Sequence, residues 1–395
     1  MSGLTIRGNV AVVGVGETTY FKRGQSPDPE FVLVLKAILA ACDDAGISPR
    51  TIDGFCSYSN DRNAPARLAN ALGLAEIRYS NMQWGGGGGG AAAAIGNAAA
   101  AVTAGYATCV VAYRGLAQGQ FGRFGSGARV NAVSGPPAFT VPYGVMSPAQ
   151  IYAMRTTRLF HEHDISPDTL KAVALAAYHH AQQNPRAVMY GRPLDAQTYD
   201  DSRWITEPFR LYDCCLENDG AAAVIVMAAD RATDVTATPV YPLAVQQGGP
   251  RRSGATVHNE PDYATSSFKT TAPHLYAQAG VGPADVDVVQ SYENFTGAVV
   301  MSLIEHGLCT YDNANEVLTP ENLIAPSGGL PLNTSGGNLA ECYMHGLGLQ
   351  IEAIRQIRGD SSNPVPGAKV ALANAGPMVE VASTALYGTE EVATA

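Results

Sequence analysis

Two tyrosines lie in segments whose residue types could perform acid–base chemistry. Tyr292 lies in SYENFTG (residues 291–297) and Tyr343 lies in ECYMHG (residues 341–346). A phenol can protonate a carbanion at neutral pH without help. A tyrosinate base is scarcer, because a free tyrosine has a pKa near ~10 and needs a nearby cation or directed N–H groups to lower it. The pair predicts one acid and one base, with space-filling aromatics as the alternative.

Polar residues and glycines near these tyrosines could complete a binding site. His345 follows Tyr343 by two residues and could point into a pocket or away from it. Glu293 and Asn294 could orient groups or hold an oxyanion-binding water, although surface or packing roles explain them equally well. The turn NTSGG (residues 333–337) could shape a pocket through its backbone, or serve only as a turn. The candidate substrate-binding residues in this part of the chain are Asn294, Asn333, Gly336, Gly337 and His345.

The elements that must position these residues repeat along the chain. NVAVVGVGET reads as a buried strand, PEFVLVLKAILAACDDAG as a helix and IDGFCSYSN as another strand, an order typical of parallel α/β architecture. Residues 45–60 align without gaps on residues 279–294, AGISPRTIDGFCSYSN on AGVGPADVDVVQSYEN. Each half then continues to a glycine-rich turn, a helix and a strand. The pattern predicts a duplicated α/β half.

Two glycine patterns could bind a nucleotide or an anion, and neither is a complete motif. Gly14 and Gly16 lack the third glycine of a dinucleotide fingerprint. The run Gly85–Gly90 lacks the Lys and Ser/Thr that follow a phosphate loop. This run opens an alanine-rich helix, so its backbone N–H groups could face an anion or oxyanion, or the glycines could let two backbones pack closely. Gly85 and Gly86 are therefore further substrate-binding candidates.

A segment of different character separates the two halves. It covers residues 115–208 and holds the glycine-rich GQFGRFGSGARVNAVSGPPAFTVPYG and helical runs such as PDTLKAVALAAYHHAQQNP. Long excursions of this kind are usually functional, so we expect dimer, partner or substrate contacts in it. The predicted organisation is a first half over residues 1–235, including this segment, and a second half over residues 236–395.

Bulk properties exclude several classes of protein. The 395 residues carry a net charge of −10 and show no basic stripe, which argues against nucleic-acid binding. No apolar run is long enough to span a bilayer, and the N-terminus does not read as a signal peptide. Seven cysteines without export signal predict free thiols and a cytoplasmic protein. No cysteine or histidine cluster has zinc-ligand spacing, so we expect no metal.

Three ordered segments resemble the thiolase superfamily, in the branch similar to the sterol-carrier-protein thiolases. They are IRGNVAVVGVGET near the start, FRLYDCCLENDGAAAVIVMA at the close of the first half and APSGGLPLNTSGGNLAECYMHGLG in the second half. The resemblance covers essentially the whole chain. It implies an α/β thiolase fold, with duplicated βαβαβαββ halves in a five-layer αβαβα sandwich. It also implies a homodimer formed through the first half.

The catalytic positions depart from this family throughout. A thiolase needs a nucleophilic cysteine at the head of a buried helix, and here the closest match is Gly85. The family segment His-Asp-x-Phe-Ser reads Tyr292-Glu293-Asn294-Phe295-Thr296, and Tyr343 replaces the histidine of Gly-His-Pro. No cysteine lies in LANAGPMVEVAS near the C-terminus. Acyl transfer through a cysteine is therefore not expected. A degenerate acyltransferase is a further alternative, and it predicts a covalent acyl adduct on the protein.

Glycine in place of the nucleophile and two tyrosines in place of histidines resemble the thiolase-like aldolases that cleave steroid side chains. The resemblance implies retro-aldol cleavage of a β-hydroxyacyl-CoA to a ketone or aldehyde plus propionyl-CoA or acetyl-CoA. It implies no cofactor, since coenzyme A is part of the substrate. It also implies a partner containing a DUF35 domain (a zinc ribbon plus an OB-fold), in a heterotetramer. The alternative is a non-catalytic scaffold that holds acyl-CoA for a partner hydratase.

Overall fold

A computed structural model of the chain describes residues 5–84, 87–121, 134–236, 238–252 and 261–395. The strands in these ranges are β1 Val10–Glu17, β2 Phe21–Lys22, β3 Gly54–Tyr58, β4 Tyr79–Gln83, β5 Cys109–Ala117, β6 Trp204–Thr206, β7 Phe209–Arg210, β8 Asn218–Ala228, β9 Tyr241–Gly248, β10 Val288–Gln290, β11 Val370–Ala375 and β12 Ala382–Gly388. The helices are α1 Glu30–Ala45, α2 Pro65–Leu72, α3 Gly90–Thr103, α4 Gln118–Phe121, α5 Pro148–His163, α6 Asp168–Ala181, α7 Ala196–Asp200, α8 Ala229–Val235, α9 Ala272–Ala279, α10 Thr296–Glu305, α11 Ala314–Val317, α12 Pro320–Leu323, α13 Leu347–Arg358 and α14 Glu390–Thr394.

The two main sheets share one topology, which confirms the predicted duplication. The first sheet has the order β1-β8-β5-β3-β4, with β2 also paired to β8, and the second has the order β9-β12-β11-β10. In each sheet the first three strands pair antiparallel and the next pair is parallel, β5 with β3 and β11 with β10. Only the first sheet adds a further parallel strand, β4 beside β3.

The gapless alignment of the two halves is visible in the local structure. Helices α1 and α9 end at the aligned alanines, Ala45 and Ala279. The next residues, Gly46 and Gly280, both adopt the left-handed conformation, with φ of 66° and 68°. A glycine is favoured there because it has no Cβ to clash. A 3₁₀ turn follows in both halves, and β3 and β10 then begin at aligned positions.

The chain forms the expected five layers. Helix α1 packs on β1 and β8 at one outer face, and α9 packs on β9 and β12 at the other. Helices α3 and α13 lie between the sheets, since each contacts strands of both. The alanines of α3 allow this double contact, because Ala91–Ala94 and Ala98–Ala99 are completely buried and keep the helix narrow. This central layer presents the head of α3 and the turn before α13 to the same region.

The glycines of β1 serve packing rather than nucleotide binding. A Cβ on Gly14 or Gly16 would lie less than 3.0 Å from the Ala41 or Ala37 carbonyl oxygen of α1, respectively. The glycines therefore let α1 lie directly on the strand. Such close backbone approach is a common reason for glycine inside a strand.

The excursion from the first half packs over the second half. Helix α6 contacts α10, α12 and the π-helical turn Gly337–Glu341, and α5 contacts α10. The first sheet uses strands between residues 10 and 228, and the second uses strands between residues 241 and 388. The boundary at residues 235 and 236 stays a prediction. Among the residues described above, no helix combines the length and apolar character that crossing a membrane would require.

Candidate active site

The two tyrosines meet at one buried point. The hydroxyl oxygens of Tyr292 and Tyr343 are 2.8 Å apart, and either can donate the hydrogen bond. Their ring planes are inclined at 69° with centroids 6.0 Å apart. Tyr292 is 2 % exposed and Tyr343 is 7 % exposed. The sequence therefore places two phenols from distant segments in direct proton-transfer contact.

Amide side chains from neighbouring strands fix the backbone of each tyrosine. The Tyr292 N–H donates to Asn374 Oδ1 at 2.9 Å, from β11. The Tyr343 N–H donates to Asn218 Oδ1 at 2.8 Å, from β8 in the first sheet. Both asparagines are fully buried. Removing a buried hydrogen-bond partner is costly, so these contacts hold the two segments in place.

Gly88 provides the space for the Tyr292 hydroxyl. Gly88 lies in the 3₁₀ turn Gly87–Gly89 that leads into α3. A Cβ on Gly88 would lie less than 3.0 Å from the Tyr292 hydroxyl oxygen, and a Cβ on Gly346 would lie less than 3.0 Å from the Tyr292 ring. The absence of a side chain at Gly88 therefore leaves room for the Tyr292 phenol at the head of α3. Close packing also accounts for Gly89, which lies against the backbone at Val381 and Gly376.

A cavity of ≈ 550 Å³ reaches the pair on the Tyr343 side. Its lining is mainly apolar and includes Tyr178, Met189, Ile205, Leu211, Leu216 and Phe295. Arg203 and Glu217 supply charged groups to its wall. The excursion contributes much of this lining, and its expected dimer, partner or substrate contacts stay a prediction. An apolar cavity with a few polar groups at one end is typical of a small-molecule site.

Burial keeps both phenols protonated. Burial raises the pKa of Tyr292 well above 10, and the neighbouring Tyr343 raises it further. Burial also raises the pKa of Tyr343 well above 10. Desolvation disfavours the charged form of a buried phenol, and the assignment of one tyrosine as base and the other as acid stays a prediction.

The three cysteines near the site are thiols. Cys214 and Cys215 line the cavity, and Cys342 is buried next to Tyr343. Burial raises the pKa of Cys214 to about 12 and that of Cys215 well above 9. A thiol is a poor nucleophile compared with a thiolate. The prediction that these cysteines are small buried groups fits Cys342, whereas Cys214 and Cys215 are half-buried.

Asn333, Gly336 and Gly337 lie behind the tyrosines and shape the backbone there. Asn333 accepts from the Ser291 N–H at 2.7 Å and donates to the Ser291 carbonyl at 2.9 Å. Gly336 and Gly337 have φ of 104° and 55°, which favour glycine. A Cβ on Gly337 would overlap the Glu293 carboxylate. Their substrate contact stays a prediction, since none of them lines the cavity described above.

Glu293 and Asn294 have different surroundings although they are adjacent. Glu293 is fully buried, and its Oε1 accepts from the Asn338 N–H at 2.9 Å. Burial raises its pKa well above 4.5, and its hydrogen bond to the Asn338 N–H ties it to the turn. Asn294 lines the cavity, and its Oδ1 accepts from the Phe295 N–H at 3.0 Å. Of the polar neighbours predicted from the sequence, Asn294 is therefore the one placed at the cavity wall.

His345 lies beside Tyr343 and is buried, with ring centroids 5.5 Å apart. Gly85 and Gly86, the two other predicted binding residues, lie outside the described residues. The structure brings Tyr292 and His345 against Tyr343, which lines the cavity together with Asn294, and places Gly88 at the Tyr292 hydroxyl.

Sequence reasoning missed four residues of this site: Gly88, Arg114, Asn218 and Asn374. Gly88 is hidden in a run of six identical residues that offers no way to choose among them. Asn218 and Asn374 lie within ENDGAAA and LANAG, where a polar residue in an apolar strand could have been noticed. Arg114 likewise interrupts the apolar strand CVVAYRG. Buried polar residues in strands are informative because they must find partners.

Comparisons with known proteins agree with this architecture. Residues 249–389 match the family model described as "Thiolase C-terminal domain-like". The 17-hydroxy-3-oxo-4-pregnene-20-carboxyl-CoA lyase of Mycobacterium tuberculosis is 36 % identical, over 94 % of this chain and 97 % of that protein. The steroid side-chain-cleaving aldolase of Thermomonospora curvata is 34 % identical, over 90 % of this chain and 92 % of that protein.

A solved structure described as "Ltp2-ChsH2(DUF35) aldolase" has the same fold at a TM-score of 0.90. It is 32 % identical and covers 98 % of this chain and 99 % of that chain. The similarity extends over both halves and the excursion, so it includes every element that positions the site. The resemblance inferred from the sequence is confirmed.

Proposed function

Because the chain belongs to the thiolase superfamily, in its branch of steroid side-chain-cleaving aldolases, we propose that this carbon–carbon lyase cleaves a β-hydroxyacyl-CoA by a retro-aldol reaction. The substrate carries a bulky group, such as a steroid ring system, at Cβ. The products are a ketone or aldehyde and a short acyl-CoA such as propionyl-CoA or acetyl-CoA. The observation that carries the proposal is the hydrogen bond of 2.8 Å between the Tyr292 and Tyr343 hydroxyls at the end of the cavity.

The two phenols form a proton relay that balances the reaction. One phenol oxygen accepts the proton of the β-hydroxyl while passing its own proton to the second phenol. The second phenol protonates Cα as the Cα–Cβ bond breaks and its electron pair moves towards the thioester. The β-hydroxyl oxygen becomes the carbonyl oxygen of the released product. The substrate loses and gains one proton, and both tyrosines return to their starting state.

This relay suits residues that stay neutral. A tyrosinate buried in this environment is disfavoured, because burial raises the pKa of both phenols. A concerted transfer needs no resting tyrosinate and no cysteine intermediate. It also needs no cofactor besides the coenzyme A of the substrate. During a turnover one tyrosine acts as the base and the other as the acid, and both are neutral phenols before and after it.

Product analysis tests this function directly. The chain, co-expressed with its DUF35-type partner, is incubated with a steroid β-hydroxyacyl-CoA that bears a tertiary hydroxyl. We expect release of a short acyl-CoA and the matching ketone, detected by mass spectrometry, and loss of both with Tyr292→Phe or Tyr343→Phe. Binding without cleavage would favour the acyl-CoA scaffold. An acyl adduct in the intact-protein mass would favour a degenerate acyltransferase.

We propose a DUF35-type partner on the surface beside the cavity mouth. Phe139, Tyr143, Met146 and Trp204 are between 50 % and 82 % exposed there. Tyr143 lines a shallow cleft with Thr206, and the adjacent Ile205 lines the catalytic cavity. Large exposed apolar side chains concentrated in one region are typical of a protein interface. The partner named for the relative of known structure is a DUF35 protein, and its seat here would cover the cavity mouth.

Pull-down with the co-expressed DUF35 protein tests this surface. Tyr143→Glu should abolish the complex, since a buried carboxylate at an apolar interface is costly. Leu39→Glu is the control, because Leu39 is 41 % exposed on α1, in a different layer. Loss of the complex with both variants, or with neither, would contradict the proposed seat.

We also propose a homodimer through strand β4, which gives a heterotetramer with two DUF35 chains. Strand β4 is the outer strand of the first sheet as described and pairs with β3. Met82 on this strand and the nearby Trp84 and Tyr106 are 39 %, 81 % and 64 % exposed. An uncovered edge strand with exposed apolar side chains beside it invites pairing with a second copy. Light scattering should report a dimer that Met82→Lys converts to a monomer.

We place the protein in the cytoplasm. All seven cysteines are free, which agrees with a reducing compartment.

A further inference from the structure

His345 occupies a strained backbone position inside the site. Its φ is 53°, in the left-handed region that bulky residues rarely adopt, and only 4 % of its surface is exposed. The Tyr58 hydroxyl donates to the His345 carbonyl at 3.0 Å and helps to hold this conformation. Strained positions of this kind cluster at functional sites. Glycine would adopt this conformation without strain.

Arg114 decides which nitrogen of His345 carries the proton. The distance between Arg114 Nη2 and His345 Nδ1 is 3.2 Å. A guanidinium donates hydrogen bonds and accepts none, so Nδ1 is the acceptor. The proton of the neutral ring must then lie on Nε2. Arg114 itself is 3 % exposed and is held by Asp61 at 3.1 Å and by the Tyr58 carbonyl at 2.8 Å.

The imidazole stays neutral. Burial lowers the pKa of His345 well below 6.5, and the adjacent Arg114 charge lowers it further. A second proton would place two positive charges side by side in a buried site. His345 is therefore a hydrogen-bond donor that does not readily act as an acid or a base.

The donor nitrogen faces the head of α3. A Cβ on Gly87 would lie 3.9 Å from His345 Nε2, and Gly88 beside it accommodates the Tyr292 hydroxyl. The His345 ring also packs against Tyr343 with an interplanar angle of 68°. The Nε2–H bond and the two phenols thus converge on one small region.

We infer that His345 is a further catalytic residue, whose Nε2–H donates to the thioester oxygen as the enolate develops, and that Arg114 is the positioning residue that fixes its tautomer. This inference rests on the proposed retro-aldol function and names the group that stabilises its transition state. As the Cα–Cβ bond breaks, negative charge develops on the thioester oxygen until Cα receives its proton. A preorganised donor aimed at that oxygen lowers the barrier, and a neutral imidazole stabilises the enolate without trapping it as an enol.

Two substitutions at position 345 separate this role from packing. His345→Phe keeps a ring beside Tyr343 but removes both nitrogens. His345→Gln loses the ring but keeps an oxygen for Arg114 and an N–H donor. We expect His345→Phe to lower kcat about 10²–10³-fold, as loss of an oxyanion donor does. We expect the kcat of His345→Gln to be at least about tenfold higher than that of His345→Phe. Equal or higher activity of Phe than of Gln would overturn the inference.

A binding measurement tests the same contact without turnover. Propionyl-CoA and its thioether analogue, S-propyl-CoA, differ in the carbonyl oxygen. We expect the complex with the DUF35 partner to prefer propionyl-CoA, and His345→Phe to remove that preference while leaving S-propyl-CoA binding unchanged. A preference that survives His345→Phe would overturn the contact. This experiment remains informative if the aldolase reaction itself fails, because it needs no cleavage.

The tautomer is measurable in the wild-type protein. Two-bond ¹H–¹⁵N spectra of ¹⁵N-histidine-labelled protein report which ring nitrogen carries the proton, and His345→Gln assigns the signal. We expect the Nε2–H tautomer, and a change of tautomer or protonation with Arg114→Met. An Nδ1–H signal in the wild type would overturn the inference, whatever the stability of the variants.

Discussion

The two halves of the chain place a tyrosine at the same point of the repeat and use it differently. Tyr58 ends β3, and its backbone stays in the ladder opposite Gln83 of β4. Its hydroxyl donates to the His345 carbonyl. Tyr292 lies two residues beyond the end of β10, and its hydroxyl meets Tyr343. One tyrosine supports the site, and the other forms part of it.

The difference arises where strand pairing stops. In the first half, β4 continues the ladder along all five residues of β3. In the second half, the corresponding partner is a single bridge between Val289 and Leu332. Asn333 then bonds the Ser291 backbone through its side chain, and Asn374 does the same for the Tyr292 N–H. Side-chain amides here make hydrogen bonds that a neighbouring strand makes in the first half. The backbone of this segment is therefore hydrogen-bonded although no full strand lies beside it.

The largest expected effect comes from deleting one hydroxyl at each of the two aligned positions. Tyr292→Phe should lower kcat about 10²–10⁴-fold, since general acid–base catalysis contributes that much. Tyr58→Phe removes the same atom from the support and should cost about 1 kcal/mol of unfolding free energy, with kcat within tenfold of wild type. Steady-state kinetics and denaturant unfolding measure both. Similar losses of kcat in the two variants would contradict the different roles assigned to Tyr58 and Tyr292.

The next effect concerns the glycine that accommodates Tyr292. Gly88→Ala should lower kcat about 10²-fold, because the methyl group would displace the Tyr292 hydroxyl and a small misplacement has an effect of that size. Gly282→Ala in the 3₁₀ turn of the second half is the matched control, since no atom lies closer than 3.8 Å to its added Cβ. Wild-type kinetics of Gly88→Ala would show that the hydroxyl position is unimportant.

A smaller effect is expected from the side chain that replaces the strand. Asn374→Ala leaves the buried Tyr292 N–H without a partner, which costs about 1–3 kcal/mol, and kcat should fall about tenfold as the segment loosens. Tyr113→Phe is the control on the equivalent strand, since its hydroxyl donates to the Asn63 carbonyl away from the phenol pair. We expect Tyr113→Phe to lose stability only. Thermal unfolding together with kcat distinguishes the two outcomes.

The smallest expected effect is the pH dependence of kcat. Because the pKa of each phenol is raised above 10, both are protonated throughout pH 6 to 9. A neutral relay should therefore vary less than about twofold in this range. A tyrosinate base would instead make kcat rise tenfold per pH unit below its pKa. Such a slope would contradict the neutral relay and indicate base catalysis by a tyrosinate.

Much of the fold was predictable because its signals are local. The buried strands, the αL glycines after α1 and α9 and the 3₁₀ turns repeat in sequence, and the structure keeps them in register. The tyrosine pair was predictable from its flanking residues. In the poly-glycine run, however, Gly88 is flanked by glycines on both sides, so only tertiary contact with Tyr292 distinguishes it.

The partners of the tyrosines could not be derived from spacing. Asn218 reaches Tyr343 across 125 residues, and Arg114 reaches His345 across 231. These contacts join the first half to the second through the central layer. The raised pKa of the two phenols could not be derived from the sequence either, because the sequence shows a phenol but not how thoroughly water is excluded from it.

The position of the phenol pair at one wall of the cavity has a stereochemical consequence. In the proposed relay, the carbonyl carbon leaves Cα and the proton reaches Cα on the same face, the one turned towards Tyr292 and Tyr343. The proton must then take the place of the departing carbon with retention of configuration. In deuterated water, a propionyl-CoA product would carry one deuterium at a single prochiral position of Cα. The position of the phenol pair would thereby determine which of the two prochiral hydrogens at Cα of the released product is replaced by deuterium.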